Sequence, residues 1–247
     1  MLEIIPVTRL PEIGEGTDLP ALLAARLAQG DCAIRPGDVV VVTQKIVSKA
    51  EGRFVDPATI TPSAEAIALA HAVRKDPAHV ELILRESTAV VRKAPFVLIT
   101  RHRLGHVMAN AGIDASNIGE DRTGQLLLLP LDPDASARRI AARLGPNIAV
   151  IISDSFGRPW RIGTVNVAIG LAGIAAVVDQ RGEPDRDGRE LQATQIALAD
   201  TIAAAAGLAM GEGAEGLPVC IVRGLASVSP AQSSSALLRP ENEDLFR

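Results

Sequence analysis

Two short runs limit the folds open to this chain. Residues 38–43 read DVVVVT and residues 148–152 read IAVII. Neither alternates polar with apolar positions. A strand that is apolar on both faces belongs inside a layered structure, covered on both sides. The cover has to be aliphatic, because aromatic residues make up 2% of the chain, with no Tyr, against 47% hydrophobic residues overall.

The 247 residues are enough for a sizeable core. Strands are expected at 2–7, 38–43, 126–131, 147–153 and 217–222, with 96–100 and 104–108 paired. Helical spacing runs over 19–29, with Pro20 tolerated in the first turn, and over 136–143 after Asp132-Pro133-Asp134. Residues 63–85 read as two helices broken near Pro77. Residues 191–210 form an Ala-rich helix that Gly211 stops. Residues 165–178 fit helix or strand by pattern alone. Residues 44–49 leave the second strand with two lysines, and 109–124 is a loop of turn formers. The order mixes α and β without strict alternation, so an α+β or irregular α/β layer fold is expected. No linker or repeat divides residues 1–247, which read as one domain.

Composition excludes several function classes. Lys plus Arg number 25 and Asp plus Glu 29, a formal charge of −4, and stacking aromatics are scarce. Nothing points to nucleic acid. No apolar run reaches the ~20 residues of a membrane span, and the N-terminus lacks a signal-peptide pattern. Cys32 and Cys220 stand apart in no metal spacing, as two buried thiols of a reducing compartment. The expected location is cytoplasmic.

No P-loop, dinucleotide fingerprint or nucleophile elbow is present. His102 and His106 are spaced i, i+4, but no Glu or Cys joins them, which argues against zinc. What remains is polar groups at element ends: Asp114 in the loop 109–124, Asp154 closing the strand 147–153, and Glu212 after the Ala-rich helix. Carboxylates on loops, with Ser155 adding a hydroxyl, suit Mg²⁺ or Mn²⁺. Asn117 is placed to hold a phosphate or sugar. Each has a plainer reading. Asp154-Ser155 serves as an Asx turn, Asp114 as a turn residue, Glu212 as a solvated acid, and Lys45 and Lys49 as surface charges. Trp160 serves as packing, and Arg158 and Arg161 as partners of acids. The segment 179–190, DQRGEPDRDGRE, reads as a solvated loop without EF-hand spacing.

Seven stretches taken in order resemble the coenzyme F420-0:L-glutamate ligase family, the γ-glutamyl ligases of deazaflavin coenzyme maturation. They are LPEI (10–13), DVVVVTQKIVSKAEGR (38–53), ANAGIDASNIG (109–119), ISDSFGRPWRIG (152–163), DRDGREL (185–191), MGEGAEG (210–216) and LLRPENEDLF (237–246). The resemblance implies an unusual α+β topology, an intertwined homodimer, and no fused nitroreductase-like domain. It implies GTP as co-substrate, coenzyme F420-0 and L-glutamate as substrates, and an acyl-phosphate intermediate. It also implies two divalent ions, Mg²⁺ or Mn²⁺, with K⁺ as a further candidate. Asp114, Asp154, Ser155 and Glu212 match its metal-ligand positions. Leu10, Pro11, Glu12, Ile13, Thr43, Lys45 and Asn117 match GTP-contacting positions, as do Met210, Gly211, Glu212, Gly213, Ala214, Glu215, Gly216 and Leu217. Asp154 and Lys45 are the expected catalytic pair. Arg158, Arg161 and the 185–191 segment are candidates for gripping the deazaflavin substrate, and the tail, with Leu245-Phe246, for docking on a second subunit. The other readings of the same residues are a metal-dependent phosphatase and a non-catalytic GTP-binding module.

Overall fold

A computed structural model describes residues 1–225 and 230–244. In chain order the elements begin with β1 (Glu3–Pro6), α1 (Leu19–Leu27), β2 (Val39–Thr43), α2 (Gln44–Ala50) and β3 (Phe54–Val55). Next come α3 (Ala64–Val73), α4 (Pro77–Arg85), β4 (Ser87–Ala94), β5 (Val97–His102), β6 (Val107–Ala109) and β7 (Leu126–Leu127). The chain continues with α5 (Pro133–Leu144), β8 (Ala149–Arg158), β9 (Arg161–Ala172), β10 (Val178–Asp179), β11 (Gln195–Ile196), α6 (Leu198–Met210) and β12 (Val219–Arg223).

The two apolar runs, β2 and β8, lie side by side and parallel at the centre of a five-stranded sheet ordered β1-β12-β2-β8-β9. The other neighbours are antiparallel. Their alternate side chains feed two cores. Val40, Val42, Val150 and Ile152 pack with Leu19, Leu23 and Leu27 of α1 and Ala137 and Ile140 of α5. Val39, Val41, Ala149 and Ile151 pack with Ala199, Ile202, Ala203 and Ala206 of α6. Helices therefore cover both faces, as the unbroken apolar runs require. The expected mixed α and β class is observed, in layered form.

A third core joins α3 and α4 to the sheet β4-β5-β6 through Ala66, Ala70, Val80, Ile83 and Leu98. The helix starts carry their own signals. Asp18, Asp76 and Asp132 each accept a backbone N–H in the first turn, with Pro just inside the helix. Where β9 crosses the first turn of α5, a Cβ on Gly170 would sit 2.5 Å from the Pro133 carbonyl, so only glycine fits.

Several expectations change. The strand expected to end at Ser153 continues through Asp154 to Arg158, because β9 extends its antiparallel ladder to Arg161. Asp154-Ser155 is thus mid-strand, and the turn falls at Pro159-Trp160. Residues 165–178 resolve as strand up to Ala172. The Ala-rich helix begins at Leu198, not 191, because Gln195 and Ile196 pair with Asp179 and Val178. Gly211, at φ +72°, ends it as expected. Helix α2 and strand β4 were not anticipated, and the strand expected at 126–131 shrinks to Leu126–Leu127. Segment 179–190 folds back on itself through a Pro184–Glu190 bridge. Leu245-Phe246 lie outside the described residues. Cys32 and Cys220 are buried and unbonded to each other. No helix among the described residues is long and apolar enough to cross a membrane.

Candidate functional site

Beyond the carboxyl end of β2, beside the middle of β8, opens a cleft of about 1110 Å³. It is lined by residues 10–13, Thr43, Lys45, Asn117 and residues 210–217, together with Asp114, Asp154 and Ser155. All the residues singled out for metal and nucleotide therefore share one cavity, although they come from separate stretches of chain. Arg158 and Arg161 do not line it. They sit on the exposed tip of the β8–β9 hairpin.

Strand alternation splits the cleft into two halves. Asp154 pairs with Val167, which packs toward the core under α1, α2 and α5. Ser155 pairs with Asn166, whose side chain lies against Gly207 of α6. On the first half, Gln44 Nε2 donates to Asp114 Oδ2 at 2.9 Å while its Oε1 accepts from Ser48 Oγ at 2.9 Å. Lys45 Nζ lies 3.5 Å from Asp114 Oδ2 and donates to the Ser116 carbonyl at 3.0 Å. Lys49, almost wholly buried, donates to Glu12 Oε1 at 2.6 Å. On the second half, Ser155 Oγ donates to Glu212 Oε2 at 2.7 Å. Asn117 Nδ2 spans the cleft wall to the Gly213 carbonyl at 3.3 Å, tying the 109–124 loop to the segment after α6.

The carboxylates here are electrostatically uncomfortable. Burial, and then the charge of Asp114, push the Asp154 carboxyl up to about 7, with Glu212 adding to the effect. Burial also raises Asp114, opposed by Lys45 and Gln44. Among the described residues no group of three or more His, Cys, Asp or Glu side chains converges as a metal cage. Of the four expected ligands, Ser155 and Glu212 are hydrogen-bonded to each other, while Asp154 feels the charges of Asp114 and Glu212. Raised carboxyls with only part of their charge offset are a donor set that fits a hard divalent cation. Gln44 and Asn166 also line the cleft and were not singled out from sequence. By sequence Lys49 reads as a charge leaving a strand, and its i, i+4 spacing from Lys45 on α2 is the signal that places it in the cleft.

A sheet covered by helices on both faces, with a polar, lysine-bearing cleft where β2 ends beside β8, places the chain among the layered proteins of mixed α and β structure. The sequence narrows this further. Residues 8–224 match the model of the F420-0:Gamma-glutamyl ligase family, and the chain belongs to that family. Its relatives include the Coenzyme F420:L-glutamate ligase of Methanothermobacter thermautotrophicus, 42% identical over all of this chain and 99% of the relative. Proteins of the same name from Natronomonas pharaonis and Archaeoglobus fulgidus are 44% and 43% identical, over all of this chain and 95% and 96% of theirs.

Proposed function

We propose that this chain is a GTP-dependent ligase that joins L-glutamate to coenzyme F420-0, and further γ-linked glutamates to the product, through an acyl phosphate. The observation that carries the reading is the convergence of separate stretches on one cleft in a chain of this family. A carboxylate resists an amine because its leaving group would be oxide. Transfer of the γ-phosphoryl from GTP to that carboxylate gives GDP and an acyl phosphate. The glutamate amine then attacks the acyl carbon, the C–O bond to phosphate breaks, and the nitrogen loses a proton.

Lys45 and Lys49 bring two positive charges to a cleft that must receive a polyanion. Gln44, locked by Ser48, fixes the direction of Asp114. Residues 10–13 and 210–217 wall the cavity and, with the Asn117–Gly213 link, narrow the access of water to a hydrolysable intermediate. Asp114, Asp154, Ser155 and Glu212 would hold Mg²⁺ or Mn²⁺, whose positive charge offsets that of the phosphates.

The protein, GTP, MnCl₂, L-glutamate and F420-0 are incubated together and the products weighed by mass spectrometry. A glutamate-dependent gain of one glutamyl residue with GDP release is expected. Phosphate release that ignores glutamate would favour a metal-dependent phosphatase, and GTP binding without turnover a binding module.

We also infer a homodimer. Strand β4 forms the outer edge of its sheet, with residues 88–94 exposed on both faces, Val91 among them. Unpaired edges of that length are ordinarily covered. Sedimentation velocity should show a dimer that Val91→Glu weakens at least ~tenfold, the effect of about 1.4 kcal/mol at an interface. A monomeric parent protein sinks this inference.

A further inference from the structure

Ser153 is 1% exposed, and among the described residues its Oγ has no hydrogen-bond partner. A buried hydroxyl without a partner costs folding free energy. The other side chains of this kind, Thr100 and His102, belong to β5, remote from the cleft, and His102 Nε2 faces Glu86 at 3.3 Å. Ser153 alone among them lines the cleft.

Its position is defined by pairing. Ser153 lies opposite Thr43 on β2 and Ala168 on β9. Ala168 packs in the core under α6, which puts Ser153 on the α6 face, two residues from Ser155. Thr43, Ser153, Ser155 and Asn166 thus make a neutral polar rail along that half of the cleft floor. The Ser155 hydroxyl is committed to Glu212, and that of Ser153 is not. A serine re-aims its hydroxyl by one rotation about Cα–Cβ, and that hydroxyl can donate.

We propose that Ser153 is a further substrate-contacting residue, its hydroxyl donating to an anionic oxygen, phosphoryl or carboxylate, of a substrate held in the cleft. The inference rests on the ligase reading for its two candidate sources, the phosphates of GTP and the carboxylates of L-glutamate. The unpartnered hydroxyl then has a use that the fold alone does not give it.

The test is Ser153→Ala, read by thermal melting without ligand and by calorimetric titration with GTP and with L-glutamate separately. The melting temperature is expected to stay level or rise, since an unsatisfied group is removed. The Kd of one probe is expected to rise roughly ten- to hundredfold, the usual effect of losing a hydrogen bond to a charged group. A rise for GTP identifies a phosphoryl contact, and a rise for glutamate a carboxylate contact. Any rise above threefold without a lowered melting temperature supports the proposal. A lowered melting temperature, which marks a structural role, overturns it, and so do two Kd values within threefold of the parent. A parent protein that binds neither probe sinks the ligase reading and this inference together, whereas a parent that binds beside an unchanged variant sinks this inference alone.

Discussion

Asp154→Asn is expected to cut glutamate ligation about a thousandfold while leaving the fold intact. The substitution keeps the shape and removes the charge. Asp154 stands in the middle of a two-stranded ladder, fixed by backbone pairing, so the change moves little. What it removes is the negative oxygen through which a cation would be held against the phosphates. Charge stabilisation of that kind is worth several kcal/mol, and each ~1.4 kcal/mol is a factor of ten. Activity within tenfold of the parent in a saturating-substrate assay would show that Asp154 does not hold the reacting groups.

The same substitution has a stability signature with a defined sign. Burial and the Asp114 charge raise the Asp154 carboxyl from 3.8 to about 7. A carboxyl raised in the folded state favours folding below its unfolded value, and that contribution is lost as pH climbs from about 4 through 7. An asparagine at this position does not titrate. The variant should therefore match the parent near pH 4 and exceed it near pH 8, by up to about 4 kcal/mol before water in the open cleft reduces the difference. Chemical denaturation at the two pH values, without divalent cations, measures it. Equal differences at both would show that the carboxyl is not raised.

Why was this site legible as a set of residues and not as a geometry? Asp114, Asp154 and Glu212 stood out because ionisable groups sat beside apolar runs and glycines, a local signal. That they share one cleft with residues 10–13 depends on β2 and β8 lying parallel in register, a contact between residues such as Val40 and Val150 that are far apart in the chain. Ser153 carried no signal at all. A serine at the end of an apolar run looks like a boundary, and only the ladder with β9 makes it a buried hydroxyl.

The fold misreadings have similar causes. Ser155, Gly157 and Arg158 carry polar or turn-forming character, so local propensity ended β8 early. Cross-strand pairing with Arg161–Ala172 overrode it. Gln44 to Ala50 holds two lysines and a serine, yet folds as α2 because Ile46 and Val47 reach the core beneath. Strand β4 leaves no mark in the sequence because residues 88–94 bury almost nothing, so no apolar alternation runs through them. The helices were clearest where an Asp cap preceded a proline, since that signal is complete within a few residues.

The histidines at 102 and 106 point to the second large effect, which concerns stability. His102 Nδ1 accepts from the Leu104 N–H at 3.0 Å, and its Nε2 faces Glu86 Oε2. Arg53 and Arg103 reach the same carboxylate at 3.3 and 3.1 Å, and they also donate to the carbonyls of Leu129, Pro130 and Leu131. Glu86 thus joins β5, α4 and the segment after β7. Burial alone would raise its carboxyl, but the close approach of His102 and the charges of Arg103 and Arg53 outweigh it and hold the group at about 2. A depressed carboxyl adds stability above its unfolded value, near 4.5, and that stability is lost as pH falls toward 2. The shift corresponds to about 3 kcal/mol. Glu86→Gln should cost a similar amount at pH 7, because it leaves a mostly buried Arg53 without its counter-charge. The parent should lose this advantage over the variant between pH 4.5 and 2. Urea unfolding of both proteins across that range checks the claim, and a loss under ~1 kcal/mol at pH 7, the scale of an exposed ion pair, would mean that the network is dispensable to the fold.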